Sequence, residues 1–227
     1  MDRATRSRMA AAIACTCACT HAAGPEGAVT QALVAVDPAD LHVSSGSLTN
    51  TSATSFRVEH PSFRAELGEA SRASAEISFV YRGPGWKEAP LASGELRRQI
   101  GLKLWARDSC NVVYAMWQIE PSQGLEVSVK SNPGQRTHAE CSDHGYTFVK
   151  PAWSRANLPP VEAGASHTLS ATIAGDTLRV AADGQLAWTG ALPAQAFAFD
   201  GPVGVRSDNG VFDVELRASA AKRGPAR

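Results

Sequence analysis

No stretch of the 227-residue chain stays apolar long enough to cross a bilayer as a helix, which excludes a helical membrane-spanning body. Net charge is also missing. The 22 basic and 22 acidic side chains cancel, so no global field draws the chain to nucleic acid or to an anionic membrane surface. No internal repeat and no long amphipathic helical period can be found. There is no nucleophile elbow on which a serine triad could rest. His138 and His144 form no metal-ligand pattern with Cys141 or Asp143, and neither a metal nor a cofactor is expected.

What the chain does have is alternation. Ser74 to Arg82 sets Ala75, Ile77, Phe79 and Tyr81 against Ser74, Glu76, Ser78 and Arg82, the period of a half-buried strand. Arg98 to Arg107 alternates likewise, with Ile100, Leu102, Leu104 and Ala106 assigned to the core and Gln99, Lys103, Trp105 and Arg107 to the other face. Cys110 to Glu120 is apolar on both sides, Val113, Ala115, Trp117 and Ile119 opposing Val112, Tyr114, Met116 and Gln118, as in a central strand covered on both faces. Leu125, Val127 and Val129 return against Glu126, Ser128 and Lys130. Further on, Leu169, Ala171 and Ile173 pair with Leu178, Val180 and Ala182 across Gly175-Asp176. Asp183-Gly184 then makes a turn of the kind preferred in two-residue hairpins. Glycine (19) and proline (13) are spread throughout, as many short strands require. The fold class predicted is all-β: an antiparallel two-sheet β-sandwich, or jelly roll, of ten to twelve strands.

The sandwich is expected over 53–217, a flexible linker over 24–52 with room for a first short strand at Gln31 to Val36 and Leu41 to Val43, and a disordered tail over 218–227. Residues 1–23 read as a leader. Arg3, Arg6 and Arg8 precede a short apolar run, and Ala14-Cys15 and Ala18-Cys19 resemble small-residue cleavage junctions. Export is therefore expected, to the periplasm, to the medium, or to a membrane through a lipid on Cys15 or Cys19. Cys110 and Cys141, flanking a strand pair, predict a disulfide if the compartment is oxidising, with two buried thiols as the alternative.

Ser166-His167-Thr168-Leu169, Gly175-Asp176-Thr177-Leu178-Arg179-Val180, Asp183-Gly184-Gln185-Leu186, Gly201-Pro202-Val203-Gly204-Val205-Arg206-Ser207-Asp208 and Phe212-Asp213-Val214 resemble the C-terminal half of concanavalin A-like lectin/glucanase sandwiches, in particular the laminin-G-like members and bacterial sugar-processing domains. The resemblance spans about 166–216. It implies a jelly roll with a concave face that often binds carbohydrate, and by itself no chemistry. Glucanases of this shape carry a Glu-x-Asp-x-x-Glu strand, and Asp213-Val214-Glu215 lacks its third acid. Polysaccharide lyases of similar shape have Glu-Leu-Arg and Gln-Ile-His strands. Glu95-Leu96-Arg97 and Trp117-Gln118-Ile119 resemble these, with Glu120 where the histidine would stand. Laminin-G-like domains sometimes hold calcium near their rim, and Asp208-Asn209 offers only two oxygen ligands for one.

No catalytic residue is assigned. The ligand-binding candidates are Lys103, Trp105, Tyr114, Lys130, Asn132, Arg136, His138 and Tyr146. Trp105 would be a sugar-stacking platform beside Lys103, and the 132–138 loop a hydrogen-bonding rim stiffened by the disulfide. Trp117 and Trp188 are assigned to the core, while Trp86 and Trp153 lie in loops. The expected function is an exported module that binds a glycan or a cell-surface polysaccharide. The alternatives are a glycan-active enzyme, with Arg98 added to the basic candidates, and a structural envelope module.

Overall fold

The computed structural model describes residues 32–221 apart from Glu69. The leader, with Cys15 and Cys19, lies outside the described residues. Among the described residues no helix is long and apolar enough to cross a membrane.

Sixteen strands form two antiparallel sheets: β1 Val34–Ala35, β2 Leu41–Ser45, β3 Leu48–Asn50, β4 Ser55–Val58, β5 Ser62–Leu67, β6 Ser74–Pro84, β7 Arg98–Leu104, β8 Val112–Glu120, β9 Gly124–Lys130, β10 Tyr146–Phe148, β11 Trp153–Ser154, β12 Ser166–Ala174, β13 Thr177–Ala182, β14 Gln185–Ala191, β15 Gly204–Asp208 and β16 Gly210–Ala218. One sheet runs β11-β14-β13-β12-β6-β16-β4-β3, with β1 also pairing β16, and the other runs β10-β9-β8-β7-β15-β5-β2. Among the described residues the one α-helix, α1 (His138–Cys141), sits in the loop before β10.

The inner faces make one core, and the alternation set its membership. Ala75, Ile77, Phe79 and Tyr81 meet Ile100, Leu102, Leu104, Val113, Ala115 and Trp117 across the interior. Phe79 packs edge-on to Trp117 at 5.8 Å and to Phe212 at 6.1 Å, the orientation that ring quadrupoles favour. Trp117 and Trp188 are core residues, as expected. Asp183 and Gly184 both have positive φ, 49° and 73°, the conformation of a type I′ hairpin turn.

Three expectations fail, each for a stated reason. The stretch assigned to a linker carries β1, β2 and β3, which pair β16, β5 and β4 respectively. Its short apolar runs cover sheet edges, where a full alternating pattern is not needed. The tail prediction over 218–227 places Ala218 and Ser219 outside the fold, yet both are buried, and Ser219 N–H donates to the Ser74 carbonyl at 3.0 Å. The third failure is at the end of β7. Trp105 takes φ 47°, a left-handed backbone rare for a bulky residue, and the alternation inverts there. Its ring enters the inter-sheet core against Phe197 at 5.9 Å, and Ala106 lands on the outer face with Val112, Tyr114 and Met116.

Cys110 and Cys141 are bonded, with Cα atoms 5.8 Å apart at a sequence separation of 31. Closing that ring stabilises the fold by about 3–4 kcal/mol in the chain-entropy picture. Peptide mapping without reductant is expected to recover the two cysteines as one linked peptide, and urea unfolding with reductant to show a loss of that size. A pair of free thiols would overturn the assignment.

Glycine at 204 is required by a close approach. A Cβ there would run into the Ala65 carbonyl on β5. Gly204→Ala is expected to lower stability by about 1–3 kcal/mol, read as a drop in urea midpoint at constant slope.

Candidate functional site

The outer face of the seven-stranded sheet, the side turned away from the core, is polar and yet largely covered. Strand register sets its residues in rows. In one row Ser128, Tyr114, Lys103, Gly204 and Glu66 are successive partners across β9, β8, β7, β15 and β5. The next row runs Glu126, Met116, Gly101, Arg206 and Arg64, and the third brings Gln118, Gln99, Asp208 and Ser62 together. Arg64 and Arg206 are thus directly opposed like charges, an unfavourable pairing on its own. Asp208 resolves it. Its carboxylate, 1% exposed, accepts from Arg206 Nε at 2.9 Å, Arg64 Nη2 at 3.3 Å and Gln99 Nε2 at 2.7 Å. Arg206, Arg64 and the Gln99 hydrogen bond hold this acid below the usual carboxylate range even though burial pushes it up.

Two loops wall this floor in. On one side the 85–97 loop is pinned by Asn209, fully buried at the β15–β16 turn. Its Oδ1 accepts from Ala89 N–H at 2.8 Å, and its Nδ2 donates to the Ala89 carbonyl at 2.8 Å and the Arg97 carbonyl at 3.0 Å. Arg97 then donates to Glu95 and Glu126. On the other side the disulfide-closed loop is held from within. Asn132 N–H donates to Asn111 Oδ1 at 3.0 Å, and Asn132 Nδ2 donates to the carbonyls of Cys110 and His144 at 3.2 and 3.0 Å. The Glu140 carboxylate accepts from Arg136 N–H and Thr137 N–H, both at 2.8 Å, and these bonds lower its pKa. The same loop carries His138, Ser142 and Asp143 to the lip.

Between the walls lies a cleft of about 590 Å³, lined by Arg64, Arg97, Gln99, Ser128, Tyr146 and Arg206 among others. That volume suits a ligand of one to a few rings. A line of aromatic and cationic groups crosses its floor. The Arg206 guanidinium stands 4.9 Å over the Tyr114 ring, Tyr114 stacks on Tyr146 at 6.2 Å, and Lys130 Nζ lies 5.2 Å from the Tyr146 centroid. Such cation–ring contacts gain strength where water is excluded.

The sequence candidates divide. Tyr146 and His138 line the cleft. Lys103, Tyr114 and Lys130 lie beneath it, between 1% and 3% exposed. Lys103 Nζ meets the Glu66 carboxylate, and Lys130 Nζ donates to the Ser142 carbonyl at 2.5 Å. Burial pushes both amines down, and the nearby Arg64 and Arg206 add to the effect. His138 is lowered as well, first by burial and then by Lys130. Asn132 is absorbed by the loop's own hydrogen bonds. Arg136 is exposed and does not line the cleft, and Trp105 is in the core.

Sequence reasoning missed Arg64, Arg97, Gln99, Arg206 and Asp208 as one constellation. Asp208-Asn209 drew notice as oxygen ligands, but Asp208 is bound by two arginines and Asn209 by the 85–97 loop. The available signal was Arg206-Ser207-Asp208, whose charges alternate on one strand face. Arg98, the added basic candidate, is held by Glu88 and Glu120. Trp86, 83% exposed, overhangs a separate hollow of about 120 Å³ with Arg57, Glu59 and His60.

No family model and no curated protein matches the sequence. Solved structures match the fold. The carbohydrate binding module CBM66 from Bacillus subtilis superposes with a TM-score of 0.56 at 10% identity, over 79% of this chain and 96% of that one. The apo Crh5 transglycosylase does so with a TM-score of 0.51 at 12% identity, over 84% of this chain and 85% of that one. Identities this low speak to architecture alone, and on that evidence the chain has the concanavalin A-like jelly-roll fold.

Proposed function

We propose that this protein binds carbohydrate in the cleft over its seven-stranded sheet, as an exported module without a reaction of its own. The observation that carries the reading is the cleft itself, with its hydrogen-bonding groups fixed in place before any ligand arrives. Arg97 is held by Glu95 and Glu126, Arg206 and Gln99 by Asp208, and Tyr146 by Tyr114. Groups ordered in advance lower the entropy cost of recognition. They also suit a ligand rich in hydroxyls, each of which needs a partner once it leaves water. The CBM66 neighbour is described as a carbohydrate binding module, which agrees with the reading without carrying it.

Export is part of the proposal and rests on two features. One is the leader-like composition of residues 1–23, and the other is a disulfide of the kind that oxidising compartments sustain. A lipid on Cys15 or Cys19 would tether the module near the surface polysaccharides it could bind.

The basic and phenolic groups that an enzyme of this shape would need do meet here, since Lys130 lies against Tyr146. Lys103, Tyr114 and Lys130 are nevertheless almost fully covered. A general acid or base has to come within hydrogen-bond reach of the substrate, and these groups form a supporting layer under the surface residues.

The test is a glycan array, followed by incubation of each hit to look for new reducing ends or unsaturated products. Binding without products is expected. Tyr146→Ala should weaken the best hit at least about 10-fold, the size typical of an aromatic anchor, while far-ultraviolet dichroism stays that of the parent. Silence across the array would overturn the glycan reading, and product formation would replace it with the enzymatic one.

A further inference from the structure

The charged groups of the cleft floor are not all paired in contact, and that gap has a meaning if the glycan reading above holds. Four cations, Arg64, Lys103, Lys130 and Arg206, project from the outer face of the sheet, and three carboxylates, Glu66, Glu126 and Asp208, accompany them. Asp208 serves both arginines, and Glu66 serves Lys103. Lys130 is 1% exposed and, among the described residues, has no carboxylate within 4.0 Å. Only the Ser142 carbonyl and the Tyr146 ring attend it.

Burying a cation without a counter-charge is costly, and such groups are normally paired. The Ser142 hydrogen bond ties the disulfide-closed loop to the sheet without balancing the charge. The rim does not supply the missing charge. Glu95 and Glu126 are held by Arg97, and Gln118 Nε2 donates to Glu126 at 2.9 Å. Asp143 on the opposite lip and Asp108 act on Lys130 through their fields without pairing with it, and Asp143 reaches His138 as well. The arginines hold their charge at any ordinary pH, and they face the cleft as planar forks suited to a two-oxygen anion.

We infer that the glycan bound in this cleft is acidic, with its carboxylate or sulfate seated over Arg64 and Arg206 and within the field of Lys130. The inference rests on the proposed function and narrows it to one ligand class. The depressed amine of Lys130 agrees with it, because an incoming anion supplies the counter-charge that no contacting carboxylate gives.

Calorimetric titration with matched polymers tests it. Polygalacturonate and its methyl ester differ only in the carboxylate, and dextran sulfate and dextran only in the sulfate. At least one acidic member is expected to bind about 10-fold or more tightly than its neutral match, with affinity falling as salt is added. The pair that shows the difference identifies the anion. Arg64→Gln and Lys130→Met should each weaken the acidic polymer about 10-fold, so that its advantage over the neutral match is lost. Arg179→Gln, on the exposed face of β13 in the other sheet, should change nothing, which separates a seated anion from general polyanion adhesion. Melting curves show whether each variant is folded, and either one suffices. Equal binding of acidic and neutral members, or full acidic binding by both folded variants, overturns the inference and leaves the glycan reading standing. If neither these polymers nor any glycan on the array binds, both fall.

Discussion

The carboxylate of Asp208 holds together the outer face of the seven-stranded sheet, where the proposed binding cleft lies. Three strands, β5, β15 and β7, each place a donor on it, and without it Arg64 and Arg206 would confront each other as like charges across a strand pair. An acid this deeply buried is expensive to desolvate, and it stays ionised because several donors converge on it. The arrangement is a poor way to gain stability, since apolar residues of similar size would cost less. Its presence on the outer face of a sheet whose inner face is an ordinary apolar core suggests that the charges are kept for a ligand.

Two loops turn that face into a cleft, and each is anchored covalently or by a buried amide. Asn209 follows Asp208 directly in sequence and ties down the 85–97 wall through three hydrogen bonds to backbone. The disulfide and the Asn111–Asn132 contacts hold the opposite wall. The same turn therefore supplies both the charge at the centre of the floor and the anchor of its nearer wall. This coupling explains why substitutions around 206–209 would disturb shape and charge together.

Much of the fold was legible in the sequence. The β6, β7, β8 and β9 alternations each assigned the correct inner face, and β8 was recognisable as a central strand from its two apolar sides. The Asp183-Gly184 hairpin followed from turn chemistry. What escaped were elements whose local pattern is weak. β1 and β2 fall in the runs at 31–36 and 41–43 that read as a short strand, β3 has no such run, and the stretch as a whole looks like linker until its partners are known. Trp105 inverted the alternation because one left-handed residue exchanges the two faces of everything beyond it. Of the site, Tyr146 and His138 could be named from the sequence, and the arginines could not, because they come from strands far apart in the chain.

The sequence by itself determined the class of fold, the apolar core and the pairing of Cys110 with Cys141 as an expectation, because alternation and turn residues are local properties that each strand carries alone. Only the tertiary structure decided which polar faces adjoin. Arg64, Gln99, Arg206 and Asp208 lie up to 144 residues apart in sequence, and they become a site through strand register, which no single strand encodes. Whether a charged side chain is solvated or covered was settled in the same way. That depends on the loops that close over the sheet, and Lys103 and Lys130 look like surface lysines until those loops are in place.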